Sequence, residues 1–293
     1  MVYIACIGAA HYDEKLKSID PLRHKSSNPV RSFRSFGGVI RNVAENLARL
    51  GVKVKLISRI GNDDRGQRLL REMKALAIEV GGVLLSDTSL TGTYTAILDA
   101  DGELFIAAAD MQVYDEMTPM MLIEASQKVH HCPFWIVDAA FSEECLFHLA
   151  KERPPGVEFW AMATSVAKVT RWKKALPFVD VLLLNNIELE RLAGSVEDLL
   201  AMGVKKVIVT QGEKGLFAAT KESEISLPAL HAQAVDVTGV GDALAASVLF
   251  GTSQGLSFEK SLMLGLRGAQ LTIESEHTVF PAIAPQLLLD SLC

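Results

Sequence analysis

Asp236-Val237-Thr238-Gly239-Val240-Gly241-Asp242 is the stretch that decides the fold, and the alanine-rich run Ala243–Phe250 follows it at once. The run is apolar and has no proline, so it reads as a helix. Two glycines and a threonine at its mouth leave main-chain N–H groups free to make a nest for an anion, and the helix dipole adds to that nest. Asp242 places a carboxylate on the rim. Such a cup would hold the charge developing on a transferring phosphoryl group, while Asp242 would take the proton of an attacking hydroxyl. The alternative reading makes Asp242 only a helix N-cap. No G-x-x-x-x-G-K-[ST] string occurs in the chain, which argues against a P-loop enzyme.

Composition sets the outer bounds. The chain has 293 residues, 49% of them hydrophobic and 22% charged, enough for a sizeable core. A formal charge of −6 and the lack of a basic stripe argue against a nucleic-acid partner. The segment from Lys15 to Lys25 is the nearest to one, but Asp20 and Pro21 interrupt it and it reads as a solvated loop. Cys6, Cys132, Cys145 and Cys293 form no C-x-x-C pair, and Cys6 sits in an apolar strand. Neither a secretory leader nor a run of membrane-spanning length is visible, so the expected setting is cytoplasmic, with no membrane partner. His130 and His131 are adjacent and diverge, which makes them poor metal ligands, while Trp135, Trp160 and Trp172 read as packing residues.

Along the chain, strands alternate with helices. Val2–Ile7 ends at Gly8 as a buried strand; Gly38–Leu50 has a helical period and Gly51 as its stop. Val52–Ile57 is a strand, and Gly66–Ala77 a helix. Further strands are expected at Trp135–Ala139, Phe159–Ala163, Val179–Leu184 and Val204–Thr210, with helices at Glu143–Lys151 and Ile187–Leu192. That rhythm predicts a mainly parallel sheet covered on both faces. Two stretches break it: the segment His11–Phe36, and a hairpin, Thr93–Leu98 and Glu103–Ala107, around the turn Asp99-Ala100-Asp101-Gly102. Together they suggest a small β-lid that excludes water from the transfer step.

The Asp236–Asp242 string resembles the C-terminal signature of the PfkB (ribokinase-like) carbohydrate kinases. Other pieces match in order: Gly37-Gly38-x-x-x-Asn42-x-Ala44, Gly61-Asn62-Asp63-Asp64-x-Gly66, Asn185-Asn186-Ile187-Glu188, and Thr210-Gln211-Gly212-x-x-Gly215. Within that family, Ser27-Asn28-Pro29, Arg41 directly before Asn42, and Ala109-Asp110-Met111 are most similar to the branch that phosphorylates pseudouridine. The resemblance implies a three-layer α/β/α fold with a mainly parallel central sheet and a small β-sheet lid. Residues 1–293 would form one kinase domain, with lid segments at roughly 12–36 and 91–112. It implies ATP and Mg²⁺ as cofactors, a monovalent cation such as K⁺, a nucleoside or sugar substrate, and a homodimer through the lid.

The site residues follow from the same likeness. Asp242 would be the base, with the N–H groups of Gly239, Val240 and Gly241 as the anion hole. Asp13, the Gly38 backbone and Asn42 would hold ribose hydroxyls, since a carboxylate is a natural acceptor for a diol. Asp138, closing a buried strand, would face the ligand crevice, while Thr93 and Asp110 on the hairpin would read the base edge. Asn185 and Glu188 would orient Mg²⁺ and phosphates through waters, and Thr210, Gly212 and Gly215 would line the ATP site. Asp236 and Thr238 would help hold the monovalent cation.

Two departures from the family pattern stand out. Ile40 replaces a glycine and adds bulk beside the sugar, and Met162-Ala163 replaces an Asp-Pro whose acidic group bears on the metal's outer shell. The expected reaction is ATP-dependent phosphorylation of the 5′-hydroxyl of pseudouridine. Its rivals are another sugar or nucleoside kinase of the family, such as a ribokinase or adenosine kinase, and a catalytically idle sugar- or nucleoside-binding regulator.

Overall fold

The computed structural model describes residues 2–292. β1 (Tyr3–Ile7) ends at Gly8, and the chain passes through β2 (His11–Ser18) and β3 (Val30–Gly37) into α1 (Val39–Arg49). β4 (Lys53–Ile57), β5 (Arg59–Gly61), α2 (Asp64–Ala75) and β6 (Leu84–Ser86) lead to the hairpin of β7 (Thr93–Leu98) and β8 (Leu104–Asp110). The next elements are α3 (Pro119–Ser126), β9 (Phe134–Asp138), α4 (Glu143–Lys151), β10 (Glu158–Met162) and β11 (Val181–Asn185). Then come α5 (Asn186–Leu192), α6 (Val196–Ala201), β12 (Lys206–Thr210), β13 (Leu216–Ala219) and β14 (Glu224–Leu227). The chain closes with α7 (Val240–Ser253), α8 (Phe258–Ile273) and α9 (Pro285–Leu289). The expected elements recur with their ends shifted by up to three residues, as in α7 and β8.

The main sheet has the order β14-β13-β12-β11-β10-β9-β1-β4. It is parallel from β12 to β4, with β13 and β14 added antiparallel at one edge. Its strands are apolar on both faces because helices cover both. In β1, Ala5 and Ile7 face one core while Ile4 and Cys6 face the other, and β9 splits likewise into Trp135 and Val137 against Ile136. The first core takes in α3 and α4, the second α1, α7 and α8. Each fully buried Leu or Ile contributes about 1.5–3 kcal/mol. All three tryptophans are at most 1% exposed, as expected of packing residues.

Chain order reverses across β1, which lies between β4 and β9. The crevice beyond the carboxyl end of a strand at such a switch point is where open α/β sheets bind ligands. The chain leaving β1 does not turn back as a helix there. It rises into a second sheet, β3-β2-β7-β8, the lid. The reading of Lys15 to Lys25 as a solvated loop fails at its start, because Lys15 to Ser18 pair with β3 and Lys15 to Lys17 also with β7. The G-x-D-x-x-G turn anchors the lid: Asp63 caps α2 through Gly66 N at 2.7 Å and accepts from Thr91 N at 2.8 Å and Thr91 Oγ1 at 2.7 Å. At the lid's outer edge, all seven residues of β8 are exposed. Among the described residues, no helix is long and apolar enough to cross a membrane.

Candidate active site

Two helix N-termini converge over the switch point. α7 starts at Gly239, which has φ +79° and whose added Cβ would overlap the Thr278 carbonyl oxygen. Only glycine fits there, and having no side chain it leaves the first turn of α7 without a side-chain cap. Asp242 therefore does not cap the helix. It stands in the first turn, 9% exposed, and accepts from Asn42 Nδ2 at 2.8 Å. Asn42 lies in the first turns of α1, and Arg41 fixes its amide: Arg41 Nη1 donates to Asn42 Oδ1 at 3.1 Å and to the Phe36 carbonyl at 3.0 Å. Glu45 pairs with Arg41 and Arg49, so the guanidinium is held in place despite its burial.

Burial pushes the Asp242 carboxyl up to about 7; the Asn42 hydrogen bond opposes the shift and the nearby Asp138 charge adds to it. A carboxylate poised near neutrality suits a general base. Beside it a cavity of about 170 Å³ is lined by Gly241, Asp242, Asn185, Glu188, Thr210 and Thr164, among others. Gly241 of the nest, the carboxylate and Asn185, Glu188 and Thr210 thus share one chamber, which Gly212 and Gly215 do not line. Asn185 and Glu188 form a reciprocal cap on α5: Glu188 N donates to Asn185 Oδ1 at 2.9 Å, and Asn185 N to Glu188 Oε2 at 2.8 Å. Burial raises the Glu188 pKa. Thr210 ends β12 beside Asn185, its partner in register. Gly212 opens the turn after it at φ +60°, and Gly215 packs its backbone on Leu227–Ala229, so it shapes the β13 hairpin.

The residues that would hold a Mg²⁺–nucleotide are Asn185, Glu188 and Thr210, whose oxygens suit a hard ion reached through waters. Among the described residues, no group of three or more His, Cys, Asp or Glu side chains could cage a metal. Such an ion would come with its phosphates. The departure at Met162-Ala163 is built into this wall. Met162 is packed in the core, and Thr164 follows at φ +73°, a strained setting for a β-branched residue. Its hydroxyl accepts from Ala139 N at 3.0 Å and so ties the end of β9 to the chamber.

On the sugar side, Asp13 reaches over Gly37, where a Cβ would overlap its carboxylate. Gly38 follows with its backbone against Ala9 and leads into Asn42. Asp13, Gly38, Asn42 and Asp242 are thus grouped around the start of α1. Asp138 does something else. It is fully buried, and its oxygens accept from Ala9 N at 3.1 Å and Ala140 N at 2.9 Å. It braces the chain leaving β1 against the end of β9 and presents no oxygen to the crevice. Ile40 also differs from expectation, for its side chain is buried in the core and packs toward Gly8.

Register corrects the hairpin. Asp13 lies opposite Tyr94, which lies opposite Ala109, so these three share one face of the lid. Thr93 and Asp110 are in register with Tyr12 on the other face. A one-residue difference in parity reverses the face, and neither residue is brought to the sugar. Asp236 and Thr238 do not offer a cation site either. Thr238 N and Oγ1 donate to Asp236 Oδ1 at 2.8 and 2.6 Å, and Lys15 Nζ lies 3.2 Å from Oδ2. Sequence reasoning missed Lys15 and His11, whose Nε2 sits 3.3 Å from Asp13 Oδ1. The i, i+2 spacing of His11, Asp13 and Lys15 on one strand was the available signal.

Known proteins carry the same framework. The chain is 27% identical over 295 residues to the pseudouridine kinase of Escherichia coli (strain K12), covering 96% of this chain and 94% of that protein. It is also 27% identical, over 301 residues, to the guanosine-inosine kinase of Exiguobacterium acetylicum, covering 97% and 98%. A solved carbohydrate kinase from Agrobacterium tumefaciens superposes with a TM-score of 0.89 at 29% identity, covering 100% of this chain and 97% of that one. The model of the pfkB family carbohydrate kinases matches residues 1–285, nearly the whole chain. With that match over nearly the whole chain and the lidded α/β sheet it shares with the solved kinase, the chain belongs to the pfkB family of carbohydrate kinases.

Proposed function

We propose that this sugar or nucleoside kinase transfers the γ-phosphoryl group of ATP to the 5′-hydroxyl of pseudouridine, giving pseudouridine 5′-phosphate and ADP. The observation that carries the nucleoside reading is the face of the lid that bears Asp13. Tyr94, Phe33, Ala96, Ala107 and Ala109 share that face by register, and Phe33 and Tyr94 are exposed. Two aromatic rings beside the exposed Ala107 and Ala109 offer an apolar surface for a base, which a free sugar would leave unused. The likeness to the Escherichia coli pseudouridine kinase supports the choice of base.

The chemistry rests on positioning and charge, as phosphoryl transfer does generally. Asp13, Gly38 and Asn42 hold the ribose so that its 5′-oxygen points at Asp242. The O–H bond breaks toward Asp242 as the 5′-oxygen attacks the γ-phosphorus in line. The bond from that phosphorus to the bridging oxygen of ADP breaks on the opposite side. N–H groups at the start of α7 receive the charge on the equatorial oxygens, and Mg²⁺, which Asn185 and Glu188 would hold through waters, would supply charge neutralisation at the nucleotide's phosphates. Arg41 keeps the Asn42 amide turned so that its N–H stays on Asp242.

The second reading, a purine-nucleoside kinase, is favoured by the equal identity to the guanosine-inosine kinase. Turnover with ribose, fructose, adenosine, guanosine, uridine and pseudouridine separates the two. The expected result is a kcat/KM for pseudouridine above that for ribose by about 10²-fold or more, because a base-binding face contributes nothing to a free sugar. Guanosine as the best acceptor would transfer the assignment to the second reading, and ribose as the best would end the nucleoside reading.

A further inference from the structure

The contact between Lys15 and Asp236 joins two parts of the molecule 221 residues apart in sequence. Lys15 belongs to the lid strand β2, two residues beyond Asp13 and on the same face. Asp236 opens the loop that ends in the glycine nest. Burial alone would raise the Asp236 pKa, but hydrogen bonds from Thr238 and Lys15 outweigh it and hold the carboxyl below its ordinary range. One of its oxygens is taken by Thr238 N and the Thr238 hydroxyl, the other by the ammonium. An ion at this carboxylate would have to displace the ammonium from Oδ2. A hard cation collects several oxygen ligands, and the two residues the family likeness offered for one are committed to each other and to Lys15.

We propose that the Lys15 ammonium takes the place of a monovalent cation at the anion loop, so that the lid carries its own positive charge to Asp236 as it covers the cleft. A lysine ammonium is a compact point charge with three donors, and its flexible stem lets it reach Asp236 from the lid. Because Asp13 and Lys15 ride on one strand, the movement that brings Asp13 to the ribose also brings the ammonium to Asp236. Lys15 is thus a positioning residue that couples lid closure to the charge balance of the loop ahead of Gly239. Its side chain is 42% exposed and that of Asp236 26%, so the pair alone shifts an equilibrium by only about fivefold. Its distinctive effect is on the response to cations.

The test compares wild type, Lys15→Met and Lys15→Arg in potassium chloride and in tetramethylammonium chloride at equal ionic strength. Wild-type turnover is expected to agree within about twofold between the salts, and Lys15→Arg to behave likewise, since both keep a tethered charge. Lys15→Met is expected to lose about fivefold in tetramethylammonium chloride and to regain most of it in potassium chloride, as K⁺ enters the vacated place. The melting midpoint gives a second readout without turnover: potassium raises it for Lys15→Met and leaves wild type unchanged. Only the turnover arm rests on the phosphoryl-transfer reading, so a preparation inactive on every acceptor still answers through melting. A wild type that requires potassium, or melts higher in it, would overturn the proposal. A Lys15→Met variant that matches wild type in both salts, or whose loss potassium does not restore, would do the same.

Discussion

Asp242→Asn is expected to lower kcat by about 10²–10⁴-fold, the range that a positioned general base supplies, while raising the melting temperature at pH 8. The two effects share one cause. Burial moves the carboxyl from an ordinary 3.8 to about 7, and every tenfold gain in proton affinity corresponds to about 1.4 kcal/mol. A carboxyl whose folded pKa exceeds its unfolded value weakens the fold as it ionises. The penalty is absent below the unfolded pKa and complete above about pH 7, where it reaches roughly 4 kcal/mol. Asparagine has no charge to bury and keeps an oxygen for the Asn42 N–H. Thermal melts of the two proteins at pH 5 and pH 8, with turnover measured alongside, check the pair of claims. A variant that is inactive yet more stable at pH 8, with the gain shrinking toward pH 5, is the expected outcome. A variant that loses activity together with stability at both pH values would make Asp242 a structural residue. An idle nucleoside-binding regulator, the remaining rival, would show no turnover even as wild type.

Gly239→Ala is the second large effect, and it separates the nest from the carboxylate. The residue sits at φ +79°, and the new methyl group would overlap the Thr278 carbonyl oxygen. The left-handed backbone alone costs about 1–2 kcal/mol in a residue with a Cβ, and relief of the overlap has to move the first turn of α7. Displacing a main-chain donor from an anion hole costs about 10²–10³-fold in kcat. Gly241→Ala provides the matched control for folding, because nothing lies within 4 Å of the Cβ it would gain. Chemical denaturation is expected to show a loss for Gly239→Ala and none for Gly241→Ala. Wild-type turnover in Gly239→Ala would mean that the start of α7 does not face the transferring group.

These contrasts show what a linear chain discloses. The nest at Gly239 and Gly241 was legible because a short-range pattern creates it: two glycines and a carboxylate ahead of an apolar helix. The parallel sheet was legible for the same reason, since each buried strand carries its own apolar run. Asn185 and Glu188 form a local cap, so their N-x-x-E spacing already contained the contact. What stayed hidden depended on parity or on distant partners. Thr93 and Tyr94 are neighbours, yet pleating sends them to opposite faces, and only the register with β2 says which face meets Asp13. Ile40 was expected beside the sugar, but the pocket next to Gly8 takes its side chain inward. Asp138 was expected at the ligand because it ends a strand at the switch point, but Ala9 N and Ala140 N claim its oxygens. The i, i+2 spacing puts Lys15 on the face of Asp13, but its partner Asp236 lies 221 residues away and that spacing does not name it.

The pH dependence of kcat/KM, measured at saturating Mg²⁺-ATP with the best acceptor, bears most directly on whether a buried carboxylate at the mouth of α7 drives the transfer. This quantity reports the ionisation of the free base, and Asp242 must lose its proton before it can accept one. Below about pH 7 the wild-type rate is expected to fall tenfold for each pH unit, and the residual rate of Asp242→Asn is expected to lack that limb. A wild-type profile that stays level from about pH 5.5 to 8, or an Asp242→Asn profile with the same acid limb, would contradict the assignment of the base.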